Sequence, residues 1–246
     1  MCPMTGGFLI RQHDGRRYCV YVPADYEDST RPWPAILFLH GAGEGGRDGI
    51  LPTEYQLGSA IRREAARFPG FVIFPQVSSY QPVWKSTDVD FALQVLAQVA
   101  QDFRIDPARV YLTGVSTGAK ASWHALYRHP QTFAAALIVC GVLRPRLPDG
   151  RWTPDPDPVV ADADDAYGAL AARIRDVPTW VFHGDADPVF PVADARAIVA
   201  ALRAAEADVT YTELTGFGHD VWDVAYYSPQ VSEWLFDQCR SPGVGT

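Results

Sequence analysis

The sequence predicts an α/β fold, in which a mostly parallel sheet is covered by helices on both faces. Apolar runs of strand length alternate with segments of helical periodicity almost from end to end, which is the pattern of βα units. Two strand-like runs around Asp14-Gly15 come first and predict an antiparallel hairpin. At 246 residues the chain can build one sizeable core, so we expect one domain over residues 1–246.

The elements are expected in the following order. The hairpin strands are placed at 8–12 and 17–22, and the later strands at 35–40, 71–75, 110–113, 134–140, 179–183 and 209–214. Helices are placed at 59–68, 88–102, 119–127 and 192–205, with a last helix after Ser228-Pro229. The segment 88–102 has apolar residues at Phe91, Val95, Leu96 and Val99, which is the spacing of an amphipathic helix.

A stretch crowded with Pro and Asp, residues 144–165, interrupts this alternation after the sixth strand. We interpret it as a loop insertion outside the core. Loops at the carboxyl ends of parallel strands surround the ligand site in open α/β folds. The insertion is therefore expected to form a lid or pocket wall, and the alternative is a surface loop with no role in binding. Trp152 and Trp84 are candidate pocket residues, and ordinary packing is the alternative for both.

Charge and cysteine usage narrow the possible functions. Acidic residues number 29 against 21 basic ones, for a net charge of -8, and no stretch gathers Lys and Arg. This argues against nucleic acid and membrane surfaces as partners. No apolar stretch reaches membrane-spanning length and no leader pattern is visible, so a cytoplasmic location is expected, although a trimmed leader would leave the same sequence. The 4 cysteines lack metal-ligand spacing, which favours free thiols and no metal site.

One serine lies where a hydrolytic nucleophile is expected. Gly114-Val115-Ser116-Thr117-Gly118 separates a strand-like run from a helical segment. Small residues two positions before and after a serine permit a strained strand-to-helix turn that lifts the hydroxyl above the sheet edge. Such exposure, with a base and oxyanion donors nearby, makes a serine nucleophilic. The motif alone is weak because glycine and serine are common, but its context makes Ser116 the candidate nucleophile.

The candidate base is His219. Hydrolases with this turn have the order Ser, acid, His along the chain, and of the 6 histidines only His219 follows the last expected strand. The acid should follow an earlier strand, where HGDADP supplies Asp185 and Asp187. We choose Asp187 because it begins the turn into Pro188, from which a carboxylate would hold the imidazole in the required tautomer. Turn capping is the alternative role for Asp187.

Two main-chain N–H groups are expected to hold the oxyanion. One belongs to Thr117, directly after the nucleophile, and the other to Ala42 in the glycine-rich loop after the third strand, with Gly43 as the alternative. Glycines in HGAGEGG could also cradle a phosphate, but neither a P-loop nor a GxGxxG pattern is present. Phosphate binding and an organic cofactor are therefore not expected.

Four blocks of sequence together resemble the α/β-hydrolase superfamily, and within it the carboxylesterase branch of feruloyl esterases, polyhydroxybutyrate-depolymerase-like esterases and related predicted peptidases. The blocks are LFLHGAGEGG, IDPARVYLTGVSTGAKASW, VFHGDADPVFPV and GFGHDVWDVAY. The resemblance extends from about residue 18 to residue 234 and implies a serine esterase that needs no metal. Two positions depart from the branch, since Thr117 stands where Met is usual and Ala119 where Gly is usual.

Three functional hypotheses remain open. The leading one is a serine carboxylesterase that hydrolyses small or aromatic esters through an acyl-enzyme on Ser116. A peptidase or acyltransferase would use the same side chains and differ only in the leaving group or acceptor. A binding protein that keeps the fold without activity is less favoured, because it predicts the loss of a catalytic residue and all of them are present.

Overall fold

The computed structural model describes residues 6–79, 83–144, 155, 157–160 and 164–240. Within these residues eight strands form one sheet: β1 Gly7–His13, β2 Arg16–Val22, β3 Trp33–Leu39, β4 Phe71–Pro75, β5 Ile105–Val115, β6 Ala135–Val139, β7 Thr179–Gly184 and β8 Val209–Leu214. Their order across the sheet is β1-β2-β4-β3-β5-β6-β7-β8. The pairs β1/β2 and β2/β4 are antiparallel and the others are parallel. The predicted fold class, including the N-terminal hairpin, is confirmed.

Helices connect the parallel strands and cover both faces of the sheet. In the described part of the chain they are α1 Gln56–Arg63, α2 Ser86–Asp102, α3 Thr117–Arg128, α4 Ala166–Ile174, α5 Val192–Ala204, α6 Trp222–Tyr226 and α7 Pro229–Asp237. Apolar residues of α2 to α5 pack in one buried cluster, and those of α1, α6 and α7 pack in another. Each parallel pair thus has the helical crossover that its geometry requires.

The central strand β3 shows why the parallel strands appear in the sequence as continuous apolar runs. Leu37 and Leu39 belong to the cluster on one face, whereas Ile36 and Phe38 belong to the cluster on the other. Successive side chains of a strand point to opposite faces, so a sheet that is covered on both sides needs apolar residues at every position. The sequence pattern of β3 therefore specified its place in the middle of the sheet.

Several element boundaries differ from those predicted. Strand β5 begins at Ile105 rather than 110, because Ile105 already pairs with Trp33 before a shift in register. Helix α1 ends at Arg63, since Glu64 leaves the helical conformation with φ −154° and ψ 64°. Helices α4 and α6 were not predicted. The N-terminus of α4 is capped by Asp165, whose carboxylate accepts the Gly168 N–H at 2.9 Å.

The Pro/Asp-rich stretch that follows β6 is described only in part. The expectation that it lies outside the core is wrong for Val159 and Val160, which are buried and pack in the same cluster as α2 to α5. Two β-branched apolar residues give this short segment enough apolar surface to anchor it. Trp152 lies outside the described residues.

Main-chain segments approach one another closely at the carboxyl edge of the sheet. A Cβ atom on Gly118 would overlap the carbonyl oxygens of Leu39 and His40, at the end of β3. A Cβ atom on Gly184 would likewise overlap the carbonyl oxygens of Phe217 and Gly218. Only glycine permits such contacts, so the turn after β5 lies directly on β3, and the loops after β7 and β8 touch.

We predict that Gly118→Ala lowers the free energy of unfolding by more than about 3 kcal/mol, because main chain on both sides prevents relaxation. Gly43→Ala is the matched control, since a Cβ atom there meets nothing within 4 Å. Urea denaturation followed by circular dichroism measures both variants. Equal midpoints for the two variants would contradict the packing argument.

Candidate active site

Three strands place the candidate side chains at one edge of the sheet. Ser116 directly follows β5, Asp187 follows β7 and His219 follows β8. These strands are parallel members of the run β5-β6-β7-β8, so their carboxyl ends lie along the same edge. Residues that are distant in sequence are thereby brought together where open α/β sheets bind ligands.

The turn that contains Ser116 holds it in an unusual conformation. Ser116 has φ 56° and ψ −117°, and α3 begins at the next residue. A non-glycine residue in such a region costs about 1–3 kcal/mol and persists only when its surroundings enforce it. Here the Ser116 N–H donates to the carbonyl of Val139 at 3.0 Å, which ties the turn to β6.

The three side chains form a continuous hydrogen-bonded chain. His219 Nδ1 lies 2.7 Å from Asp187 Oδ2, and His219 Nε2 lies 2.8 Å from Ser116 Oγ. An ionised carboxylate can only accept, so Nδ1 carries the proton and Nε2 is free to accept the Ser116 hydroxyl proton. The arrangement can therefore move a proton from Ser116 to His219 while Asp187 stabilises the imidazolium that forms.

Asp187 is buried yet fully hydrogen-bonded. Oδ1 accepts the main-chain N–H groups of Val189 and Phe190, each at 2.8 Å, while Oδ2 faces His219 and His183. Burial raises the pKa of Asp187, but the hydrogen bonds from His183 and His219 outweigh it and hold the pKa far below the ordinary range. The carboxylate stays charged. Asp185, the alternative acid, instead accepts the Gly216 N–H at 2.7 Å.

His183 has a supporting role that the sequence reasoning missed. It is fully buried, and its Nε2 lies 2.8 Å from the carbonyl of Phe190 and 3.2 Å from Asp187 Oδ2. Since both neighbours accept, Nε2 carries the proton and helps to hold Asp187 Oδ2, the same oxygen that faces His219. The sequence feature that could have predicted this contact is the spacing of four residues between His183 and Asp187 across a turn.

Two aromatic rings flank His219, and both were missed by sequence reasoning. Phe190 and Trp222 meet the imidazole edge-on, with ring centroids at 5.3 and 6.0 Å and interplanar angles of 90° and 87°. Edge-to-face contacts of this kind favour one ring orientation. They restrict rotation of His219 away from Ser116. Phe190 lies three residues after Asp187, and Trp222 lies three residues after His219. This closeness in sequence was the only feature that could have pointed to the two rings as neighbours of the site.

The expected oxyanion donors lie at the starts of two helical turns. Thr117 is the first residue of α3, and Ala42 is the first residue of the 3-10 turn Ala42–Glu44. The first N–H groups of a helix have no acceptor inside it, so both are available to a ligand, as is that of Gly43. The loop lies against the nucleophile, since a Cβ atom on Gly41 would be 3.8 Å from Ser116 Cβ.

His40 holds this loop in place. Its Nδ1 donates to the Gly41 carbonyl at 2.6 Å, and its Nε2 accepts the Val77 N–H at 3.0 Å. Burial lowers the pKa of His40 to about 4, so the ring is neutral near pH 7 and keeps both bonds. Trp84 is 4% exposed, and its indole N–H donates to the His40 carbonyl at 2.9 Å. This burial favours support of the loop over the pocket-wall role expected for Trp84.

The insertion after β6 is tied to the helix that follows Ser116. Lys120 Nζ lies 2.6 Å from Asp155 Oδ2 and 3.4 Å from the carbonyl of Asp157. The Asp157 carboxylate also accepts the N–H of Ser86, at the start of α2. Lys120 is therefore paired rather than solvated, and only 9% of it is exposed.

The described residues show neither a metal site nor a membrane-spanning helix. In residues 6–79, 83–144, 155, 157–160 and 164–240, no group of three or more His, Cys, Asp or Glu side chains is arranged to hold a metal ion. The same residues include no helix with the length and apolar character needed to cross a membrane.

Comparison with known proteins assigns the family. Residues 78–237, which include all three candidate side chains, match the model of the prolyl oligopeptidase family. The chain belongs to this family. Its members share the α/β-hydrolase fold that the sheet order and helices describe.

Similar curated proteins include esterases. The chain is 28% identical over 185 residues to NocK of Nocardia uniformis subsp. tsuyamanensis, which is assigned as an esterase, covering 71% of this chain and 52% of NocK. It is 26% identical over 182 residues to the bifunctional acetylxylan esterase/xylanase XynS20E of Neocallimastix patriciarum, covering 72% of this chain and 22% of that protein. The chain thus spans about half or less of the length of these relatives.

Among solved structures, a thermostable esterase superposes with a TM-score of 0.75 at 28% sequence identity, covering 95% of this chain and 63% of that one. The ferulic acid esterase AmCE1/Fae1A of Anaeromyces mucronatus, in complex with ferulic acid, gives a TM-score of 0.68 at 14% identity, covering 95% of this chain and 90% of that one. The second similarity concerns the fold alone.

We predict that Asp187→Asn lowers turnover of p-nitrophenyl acetate by about 1,000- to 10,000-fold, because an amide cannot enforce the Nδ1-protonated tautomer of His219. Asp185→Asn is the matched control, and we expect it to lower turnover by less than about tenfold, since the amide oxygen can still accept the Gly216 N–H. Steady-state kinetics of the two variants measure the difference. A larger loss in Asp185→Asn would reverse the assignment.

Proposed function

We propose that this chain is a serine carboxylesterase that hydrolyses small or aromatic carboxylic esters through an acyl-enzyme on Ser116. The hydrogen-bonded chain from Asp187 through His219 to Ser116, with distances of 2.7 and 2.8 Å, carries the proposal. Residues 1–246 act as one α/β-hydrolase domain, and the described residues 155 and 157–160 of the insertion form part of a wall beside the site. The docking of Asp155 on Lys120 supports this second point.

The reaction follows from the roles of these groups. Ser116 Oγ attacks the ester carbonyl carbon while its proton passes to His219 Nε2, and the N–H groups of Thr117 and Ala42 stabilise the oxyanion. His219 then gives this proton to the departing alcohol oxygen, which leaves an acyl group on Ser116. Water attacks the acyl carbon while His219 takes up its proton. The second oxyanion then collapses as His219 returns this proton to Ser116 Oγ, which breaks the bond to the acyl carbon and releases the acid.

The surroundings of His219 favour an apolar or aromatic group in the substrate. Val189 and Phe217 are 56% and 43% exposed, and they flank the loops that carry Asp187 and His219. These two loops touch, because the Ala186 N–H donates to the carbonyl of Phe217 at 3.0 Å. Exposed apolar side chains beside a catalytic edge offer contact area to an apolar ligand. Peptide hydrolysis, which the family name suggests, is the competing function.

The proposal predicts that the wild type hydrolyses p-nitrophenyl esters and methyl hydroxycinnamates, and that Ser116→Ala lowers turnover by at least about 10,000-fold because the nucleophile is lost. Peptide p-nitroanilides of matched size are measured in parallel. Ser122→Ala is the control, since Ser122 lies on the same helix and its hydroxyl donates to the Gly118 carbonyl at 2.9 Å, away from His219.

Labelling with a fluorophosphonate separates the possible failures. Labelling at Ser116 without ester turnover would show that the nucleophile works and the substrate class is wrong. Faster turnover of anilides than of esters would favour a peptidase. A wild-type chain that is neither labelled nor active on any of these compounds would contradict the proposal as a whole.

A further inference from the structure

A buried acid lies in the loop that carries Ala42. Glu44 is the last residue of the 3-10 turn Ala42–Glu44 and is 7% exposed. Its Oε1 accepts a hydrogen bond from Gln56 Nε2 at 3.2 Å, and its main-chain carbonyl accepts one from Gln76 Nε2 at 3.0 Å. The side chain is therefore turned inward and held by Gln56, while Gln76 holds the main chain of the same residue.

The second carboxyl oxygen of Glu44 has no hydrogen-bond partner among the described residues, although it is fully buried. It lies close to the nucleophile. The position that a Cβ atom would take on Gly41 is 3.2 Å from Glu44 Oε2 and 3.8 Å from Ser116 Cβ. Since Gly41 has no side chain, no side-chain atom fills the point between the carboxyl group and Ser116.

No cation compensates this carboxyl group. His40 Nδ1 is 4.0 Å from Oε2, but its proton is donated to the Gly41 carbonyl and the ring is neutral near pH 7. No Lys or Arg of the described residues lies within 4.0 Å of it. The other ionisable groups on the surrounding elements have partners elsewhere or are exposed. Asp48 is bonded to Gln76, Arg16 is paired with Asp88, and Arg62 is paired with Glu54. Arg63 contacts the Tyr227 ring, Arg47 is exposed, and His219 lies beyond Ser116.

Burial without a counter-ion disfavours the charged form of a carboxyl group. Burial raises the pKa of Glu44, and the Gln56 amide bonded to Oε1 and the nearby main-chain amides of Gly41 and Glu44 only partly oppose this. Asp187 differs because two imidazole rings, those of His183 and His219, lie within 3.2 Å of its carboxylate.

We propose that Glu44 is a positioning residue that works in its protonated form, and that its ionisation slows the attack of Ser116 on the ester. This inference rests on the proposed function. Negative charge develops on the ester oxygen beside the loop, so a charged carboxylate behind Gly41 would repel it through a poorly screening interior. A charged Glu44 would also attract the N–H groups of the loop that the oxyanion requires.

The test is the pH dependence of kcat/KM for p-nitrophenyl acetate in the wild type and in Glu44→Gln. Wild-type kcat/KM should fall by at least about tenfold on the alkaline side as Glu44 loses its proton, the effect of one nearby charge on the transition state. Glu44→Gln has the same shape and stays neutral at every pH. We expect it to keep the plateau rate within about threefold and to lose the alkaline fall.

A second variant tests the direction of the effect. The Gln56 amide N–H stabilises ionised Glu44, so Gln56→Met should move the alkaline fall to higher pH. Gln12→Met, at an exposed position of β1, is the matched control and should leave the profile unchanged. Circular dichroism at each pH confirms that the variants remain folded.

The outcomes separate this inference from the proposed function. A flat wild-type profile, or an alkaline fall that persists in Glu44→Gln, overturns the role of Glu44. So does a Gln variant that is slow at every pH, because it would mean that the carboxylate form is needed. If the ester is not turned over but Ser116 is labelled by a fluorophosphonate, the proposed substrate class fails, and the pH dependence of the labelling rate tests Glu44 in the same way.

Discussion

Contact between main-chain segments at the carboxyl edge of the sheet is the constraint on which the candidate site depends. Gly118 lies against the end of β3, and Gly184 against the loop that carries His219. These main-chain contacts fix the relative positions of the loops after β3, β5 and β8. The strained conformation of Ser116 persists because the surrounding main chain enforces it, and the hydrogen bonds of 2.7 and 2.8 Å follow from that placement.

Their surroundings shift the pKa values of two buried acids in opposite directions, downward for Asp187 and upward for Glu44. Asp187 is charged because two imidazole rings and two main-chain donors face its oxygens, whereas no imidazole is hydrogen-bonded to the Glu44 carboxyl group and burial raises its pKa. The first stabilises positive charge on His219. The second, in the protonated form that we propose, would not oppose the negative charge that develops near Ala42. Residue type and depth are similar in the two cases, so the arrangement of donors decides the direction in which each pKa moves.

Membership of the prolyl oligopeptidase family bears on the fold and on the order of the candidate residues, whereas similarity to esterases bears on the reaction. The family match covers the segment that holds the three candidate side chains, and so explains why the fold and the order of these residues agree. A fold supports many reactions, and selectivity lies in the loops around the site. In this chain those loops include the segment docked on Lys120 and the apolar residues beside His219.

The sequence by itself determined the fold class and the order of the elements. Periodicity placed the hairpin and the parallel strands, and GVSTG, HGDADP and GFGHD supplied Ser116, the choice of Asp185 or Asp187, and His219, because these signals are local. The tertiary structure alone decided which contacts form. It brought Asp187 rather than Asp185 to His219, placed His183 behind Asp187, and turned Glu44 and Lys120 inward. Burial and hydrogen-bond partners of a polar side chain depend on residues far away in sequence, which no local pattern encodes.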